Sequence, residues 1–132
     1  MYSVVSIDNY KMTRDVKLKN LETGTIDVCF DDSALASNDN FDFMKEGGKY
    51  KCKIKLFGNA ALDMQDKVVL CKIVDENMIV GTKKMVKVLV EADEYYIPVK
   101  KVSNLVDSKQ FYFKYTRKDL IEVDDLIHAD LL

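Results

Sequence analysis

A single histidine, His128, stands between Asp125 and Asp130 near the end of a 132-residue chain. A histidine oriented by a carboxylate can serve as general base toward a serine or cysteine nucleophile. No G-x-S-x-G or comparable nucleophile motif accompanies it. The ordinary reading of such a residue is a cap or surface group beside a helix C-terminus.

Metal and phosphate chemistry have equally thin support. The stretch SNDNFD (37–42) offers Asp39, Asn40 and Asp42 as oxygen ligands, with Asp31 and Asp32 close by. A calcium loop needs alternating ligands, a glycine inside the turn and a terminal bidentate acid; here Glu46 precedes Gly47 and Gly48. IVGTKKM contains Gly-Thr-Lys without the glycine spacing of a P-loop, and its lysines run into a strand. GGKYK lacks the third glycine of a dinucleotide fingerprint. Acids are plentiful but nothing singles out a glycosidase-like pair. The sequence therefore predicts a non-enzymatic protein with no metal and no cofactor.

Residues 47–60, GGKYKCKIKLFGNA, carry a different chemistry. Lys49, Lys51, Lys53 and Lys55 alternate with Tyr50, Cys52, Ile54 and Leu56, so all four lysines share one face of a strand. Such a row is either the wet side of a core strand or a surface for a polyanion such as single-stranded nucleic acid. Strand binding needs rings beside the cations for base stacking, and Tyr50 takes the opposite parity. Nucleic acid on Lys49–Lys55 is thus the second choice.

The net charge of −2 conceals segregation. Segments 47–58, 77–90 and 97–118 carry +4, +3 and +5, whereas 31–46 carries −4 and 119–132 carries −5. An acidic loop with two phenylalanines suits recognition of a basic partner. The sequence therefore predicts a protein–protein interaction module of inhibitor, neutralising or adaptor type. Its contact residues are Asp31, Asp32, Asp39, Phe41, Asp42 and Phe43, together with the outward tyrosines Tyr96 and Tyr112. Binding would weaken as salt rises.

These residues must be positioned by strands. Period two dominates the chain: YSVVSI (2–7), KMTRDVKLKNL (11–21), TIDVCF (25–30), the lysine strand, KVVLCKIV (67–74), MVKVLVEA (85–92), YYIPVKKV (95–102) and QFYFKYT (110–116). Gly24 supplies the turn between the second and third, and Gly58 ends the lysine strand. Pro98, the only proline, marks an edge strand or strand end because it cannot donate to a ladder. In TIDVCF the apolar Ile26, Val28 and Phe30 share one face, which leaves Cys29 with Asp27 and Asp31 on the accessible one. Residues 31–46 read as a long loop with one helical turn, and 58–66 as a turn or short helix. Leu120, Val123, Ile127 and Leu131 follow helical spacing, so a C-terminal helix or acidic tail is expected over 117–132; a strand over 119–123 followed by a short helix is the alternative.

The expected fold is mainly β, a small antiparallel barrel (OB-like) or sandwich of about seven strands with a C-terminal helix. The length suits one domain, 1–132, with the β portion in 1–116. The longest apolar runs are far shorter than a bilayer requires, and the N-terminus lacks a basic, apolar and cleavage-site series. Cys29, Cys52 and Cys71 are widely spaced and odd in number, as reduced thiols acting as small apolar residues. A cytoplasmic location without membrane contact is the expectation.

Overall fold

A computed structural model describes all residues, Met1–Leu132. Ten strands form one sheet: β1 Tyr2–Asn9, β2 Arg14–Asn20, β3 Ile26–Asp31, β4 Lys49–Tyr50, β5 Cys52–Ala61, β6 Val68–Val80, β7 Lys83–Val90, β8 Asp93–Pro98, β9 Gln110–Val123 and β10 Leu126–Ile127. Two one-turn helices, α1 Ser33–Ala36 and α2 Val99–Val102, interrupt the connections. β5, β8, β7, β6 and β9 close into a five-stranded barrel, because β9 pairs with both β5 and β6. Closure removes the free edges that a small open sheet would expose.

β1, β2 and β3 form an antiparallel sheet extended by β4 and fused to the barrel through β9. β3 runs parallel to β9, with Cys29 opposite Lys118 and Phe30 opposite Asp119. One apolar core spans both parts: Val4, Val16, Leu18 and Phe41 join Ile54, Leu56, Phe113 and Leu120. The inward set of β4 and β5 is the one the alternation predicts, with Ile54 and Leu56 fully buried and Tyr50 and Cys52 packed against the core. No helix is long and apolar enough to cross a membrane.

Four local expectations are corrected. The segment that was to begin a C-terminal helix continues β9 to Val123, and only a 3-10 turn, Ala129–Leu131, follows β10. The register shifts between Lys53 opposite Glu122 and Ile54 opposite Leu120. That bulge places Leu120 and Val123 in the same core at a separation of three, which imitates helical spacing. The lysine strand breaks at Lys51, where the chain passes from β4 to β5, held by the Asp124 carboxylate on the Lys51 N–H at 2.8 Å.

Gly58 does not end β5; it lies inside it. A Cβ there would meet the Lys114 carbonyl oxygen of β9 at 2.0 Å, so only glycine permits this approach. β5 accordingly runs on to Ala61, through part of the expected turn.

The faces of β3 are inverted as well. Ile26 and Val28 are 51% and 55% exposed, whereas Asp27, Cys29 and Asp31 are buried. Pairing sets Asp27 opposite Leu18, Cys29 opposite Val16 and Asp31 opposite Arg14, all of which face inward. The acids tolerate burial because each finds a cation (Lys118 for Asp27, Arg14 for Asp31).

Burial holds the Cys29 thiol well above its ordinary value, and pushes Cys52 and Cys71 up to about 12. A thiol reagent at pH 8 is expected to leave Cys29 and Cys71 unmodified over hours in the folded protein and to titrate all three cysteines in denaturant. Rapid native labelling of Cys29 would contradict its placement. Raised folded values stabilise the fold below the unfolded thiol value of 9.0, and that contribution is lost as pH climbs from there toward about 12.

Candidate functional site

The acidic loop is a closed structure. Asp31 accepts from Arg14 Nε at 2.7 Å through one carboxylate oxygen and from the Ser33 N–H at 2.9 Å through the other. Arg14 also donates to the Phe41 carbonyl, and Ser33 Oγ accepts from the Phe41 N–H at 3.0 Å. Asp31 and Phe41 are therefore buried anchors, not contact residues. Asp32 is half-exposed and engaged with His128. Asp39, Asp42 and Phe43 remain exposed, the last packed edge-on against Tyr50.

The two tyrosines divide similarly. Tyr112 is half-buried, with its neighbours Phe111 and Phe113 in the core. Tyr96 leaves the side of β8 that carries Tyr95 and Ile97, as its parity predicts, yet it is covered. Val80, Met85, Ile121 and Leu131 form a small second core over it, which removes it from the surface.

His128 caps the last 3-10 turn at its start rather than its end. Its Nδ1 accepts from the Asp130 N–H at 3.1 Å, so its proton sits on Nε2, 2.7 Å from Asp32 Oδ1. Asp32, His128 and Asp130 lie close enough to suggest a metal cluster. Asp32 lies at Nε2, and the Asp130 carboxylate lies 3.9 Å from Nδ1. With both nitrogens engaged, the imidazole has no free lone pair. It fastens the C-terminal tail to the loop, and its ring meets Phe41 edge-on.

The lysine row separates into two pairs. Lys49 and Lys51 are exposed near β4. Lys53 pairs with Glu122 at 3.0 Å and Lys55 with Asp119 at 3.7 Å, both acids on the neighbouring β9. The same Asp119 holds Arg117, whose guanidinium lies 4.4 Å from the Phe30 ring centre and 4.6 Å from that of Phe57. Cross-strand acids thus neutralise half of the row.

A concavity lies beside it. A groove of about 570 Å³ opens where β5 and β8 diverge, roofed on one side by the start of β7 and on another by α2. Its apolar lining comes from Leu56, Phe57, Met85, Pro98, Val99 and Leu131. Lys83 and Lys84 stand on β7 and Lys100 and Lys101 on α2, and none of the four has an ion-pair partner. Asp130 is the only acid in the lining.

Tail and hairpin close one end. The Leu131 carbonyl accepts from the Thr82 N–H at 2.6 Å and from Thr82 Oγ1 at 3.0 Å. Gly81 permits this contact; its φ is +63° and an added Cβ would meet that carbonyl oxygen at 2.2 Å.

No family model, curated protein or solved structure matches this chain. The site is therefore judged by its own chemistry. In the sequence the four groove lysines belong to two separate basic segments, 77–90 and 97–118. The available signal was a repeated Lys-Lys pair, one opening β7 and one just after the sole proline. Their convergence depends on barrel closure, which no local pattern encodes.

Proposed function

We propose that the chain is a non-enzymatic protein-binding module that holds an acidic, apolar-studded segment of a partner protein in the β5–β8 groove. The observation that carries this reading is the grouping of Lys83, Lys84, Lys100 and Lys101, all without ion-pair partners, around an aliphatic floor. Cations at a rim supply steering and register, while the desolvated apolar contacts supply most of the affinity. The contact surface is thus opposite in sign to the loop that the sequence favoured, because the loop acids nearest the fold are consumed by Arg14 and His128.

The competing occupant of a basic groove is single-stranded nucleic acid, which the sequence put on Lys49–Lys55. The groove has one aromatic ring, Phe57, and Arg117 already lies against it. Bases would meet methylene and methyl groups instead of stacking platforms, which favours the peptide.

The test is direct. A fluorescent peptide alternating glutamate and leucine should bind at low salt and weaken as salt rises. The double reversal Lys84→Glu, Lys100→Glu should weaken it about tenfold or more while leaving the thermal transition within a few degrees, since both side chains are exposed. An unchanged affinity, or tighter binding of an oligothymidine strand of matched charge, would overturn the reading.

A further inference from the structure

An unpaired strand edge runs out of the groove, whose lining includes its first two residues, Phe57 and Gly58. β5 pairs with β9 over its whole length, from Cys52 opposite Val123 to Ala61 opposite Tyr112. On its other side it meets β8 at a single register pair, Lys55 opposite Tyr96. β8 then ends at Pro98, which has no N–H to give, and the chain turns into α2. No backbone hydrogen bond from any turn, loop or cap reaches residues 57–61. In a strand paired on one side, alternate residues direct their N–H and C=O groups away from the partner. The β8-facing groups of this stretch therefore have no backbone partner in the protein.

The side chains there are small. Gly58, Asn59, Ala60 and Ala61 present little bulk; Lys101 Nζ reaches Asn59 Oδ1 at 3.4 Å, and Thr116 Oγ1 of β9 donates to the Phe57 carbonyl at 3.3 Å. An unprotected edge of this kind accepts another strand when nothing repels it. The lysines flanking it repel basic chains and attract acidic ones.

We infer that the partner's acidic segment binds as an added β-strand, taking the place along Phe57–Ala61 that β8 vacates at Pro98. Five residues of strand extend about 17 Å. A segment of that length would satisfy the open edge with its backbone, bring alternate acidic side chains to Lys83, Lys84, Lys100 and Lys101, and lay the intervening ones on Met85, Val99 and Leu131. Main-chain pairing would give affinity and the pockets for alternate side chains would give selectivity. This inference rests on the acidic-segment reading and adds the geometry of capture.

Two N-methylated versions of the glutamate–leucine peptide, about eight residues long to span the edge, separate the geometry from the reading. One carries methyl groups on the odd amides and the other on the even amides. Strand addition requires that one pattern lose about tenfold or more in affinity while the other stays close to the parent. It also requires that the amide hydrogens within 57–61 that face away from β9, exchanging freely in the unbound protein, become protected in the complex. Equal affinities for the two patterns, or no protection at 57–61, overturn the strand geometry while the acidic-segment reading stands. Failure of the unmethylated parent to bind at low salt overturns both.

Discussion

Replacing Asp31 with alanine is expected to lower the unfolding free energy by about 3–5 kcal/mol, because it strands a buried guanidinium. Arg14 is 9% exposed and Asp31 3%. The pair is joined at 2.7 Å, and the same two residues secure Ser33 and the Phe41 carbonyl. Alanine would remove the counter-charge and one acceptor of the Ser33 N–H together, and the loop that carries Phe41 into the core would loosen with them. A loss of that size is a large share of the ~5–15 kcal/mol that holds a domain folded. Asp39→Ala, on the exposed part of the same loop, should stay within about 0.5 kcal/mol. Urea unfolding of both variants decides the matter, and equal stabilities would show that the loop acids are interchangeable solvent groups. The double change Arg14→Met, Asp31→Leu should recover much of the loss, because a buried ion pair resists the removal of one member more than its replacement by apolar groups.

Lys118→Ala should cost about 3 kcal/mol, toward the lower end of the same range since the lysine is partly solvated. Its ammonium lies 2.5 Å from Asp27 Oδ1, while Tyr95 donates to Asp27 Oδ2 at 2.6 Å. The ammonium also lies 5.0 Å from the Tyr95 ring centre and 4.9 Å from that of Tyr115. Burial, then the hydrogen bond to Asp27, raises the Tyr95 phenol far above its ordinary value, so it stays a donor throughout the accessible pH range. With Lys118 gone, Asp27 would keep one neutral donor and no cation. The consequence should be local as well as global, because this cluster ties β3 to the barrel where only two residues of β3 pair with β9. Amide exchange in β2 and β3 should accelerate more than in β6 and β7. Lys114→Ala, exposed on the same strand, is the control and should change little.

Where one face of a strand was apolar and its partner strand shared the pattern, the amino-acid order was a sufficient guide. Ile54 and Leu56 on β5, Val16 and Leu18 on β2, and Phe111 and Phe113 on β9 all lie in the core that their spacing predicts. Arg14 shares a parity with Val16 and Leu18 and is buried with them, its charge met by Asp31. Pro98 ends its strand because it lacks an N–H. Local pattern misled where a long-range partner outweighed it. In β3 two carboxylates went inward because Arg14 and Lys118, distant in the chain, meet them there. In β9 a bulge changed the parity of the inward residues and imitated a helix. Tyr96 faced outward as expected, and the tail then covered it.

The candidate site divides along the same line. Alternation and composition by themselves determined a β fold, the inward face of the lysine strand and the positions of the basic segments, because each depends on neighbours two residues apart. Only the tertiary structure decided which charges remain available. It paired Lys53 and Lys55 with acids of β9, spent Asp31 and Asp32 on Arg14 and His128, and left Lys83, Lys84, Lys100 and Lys101 around one groove. A charge is free or consumed according to what lies within about 4 Å of it in space. Barrel closure, not sequence distance, sets those neighbours.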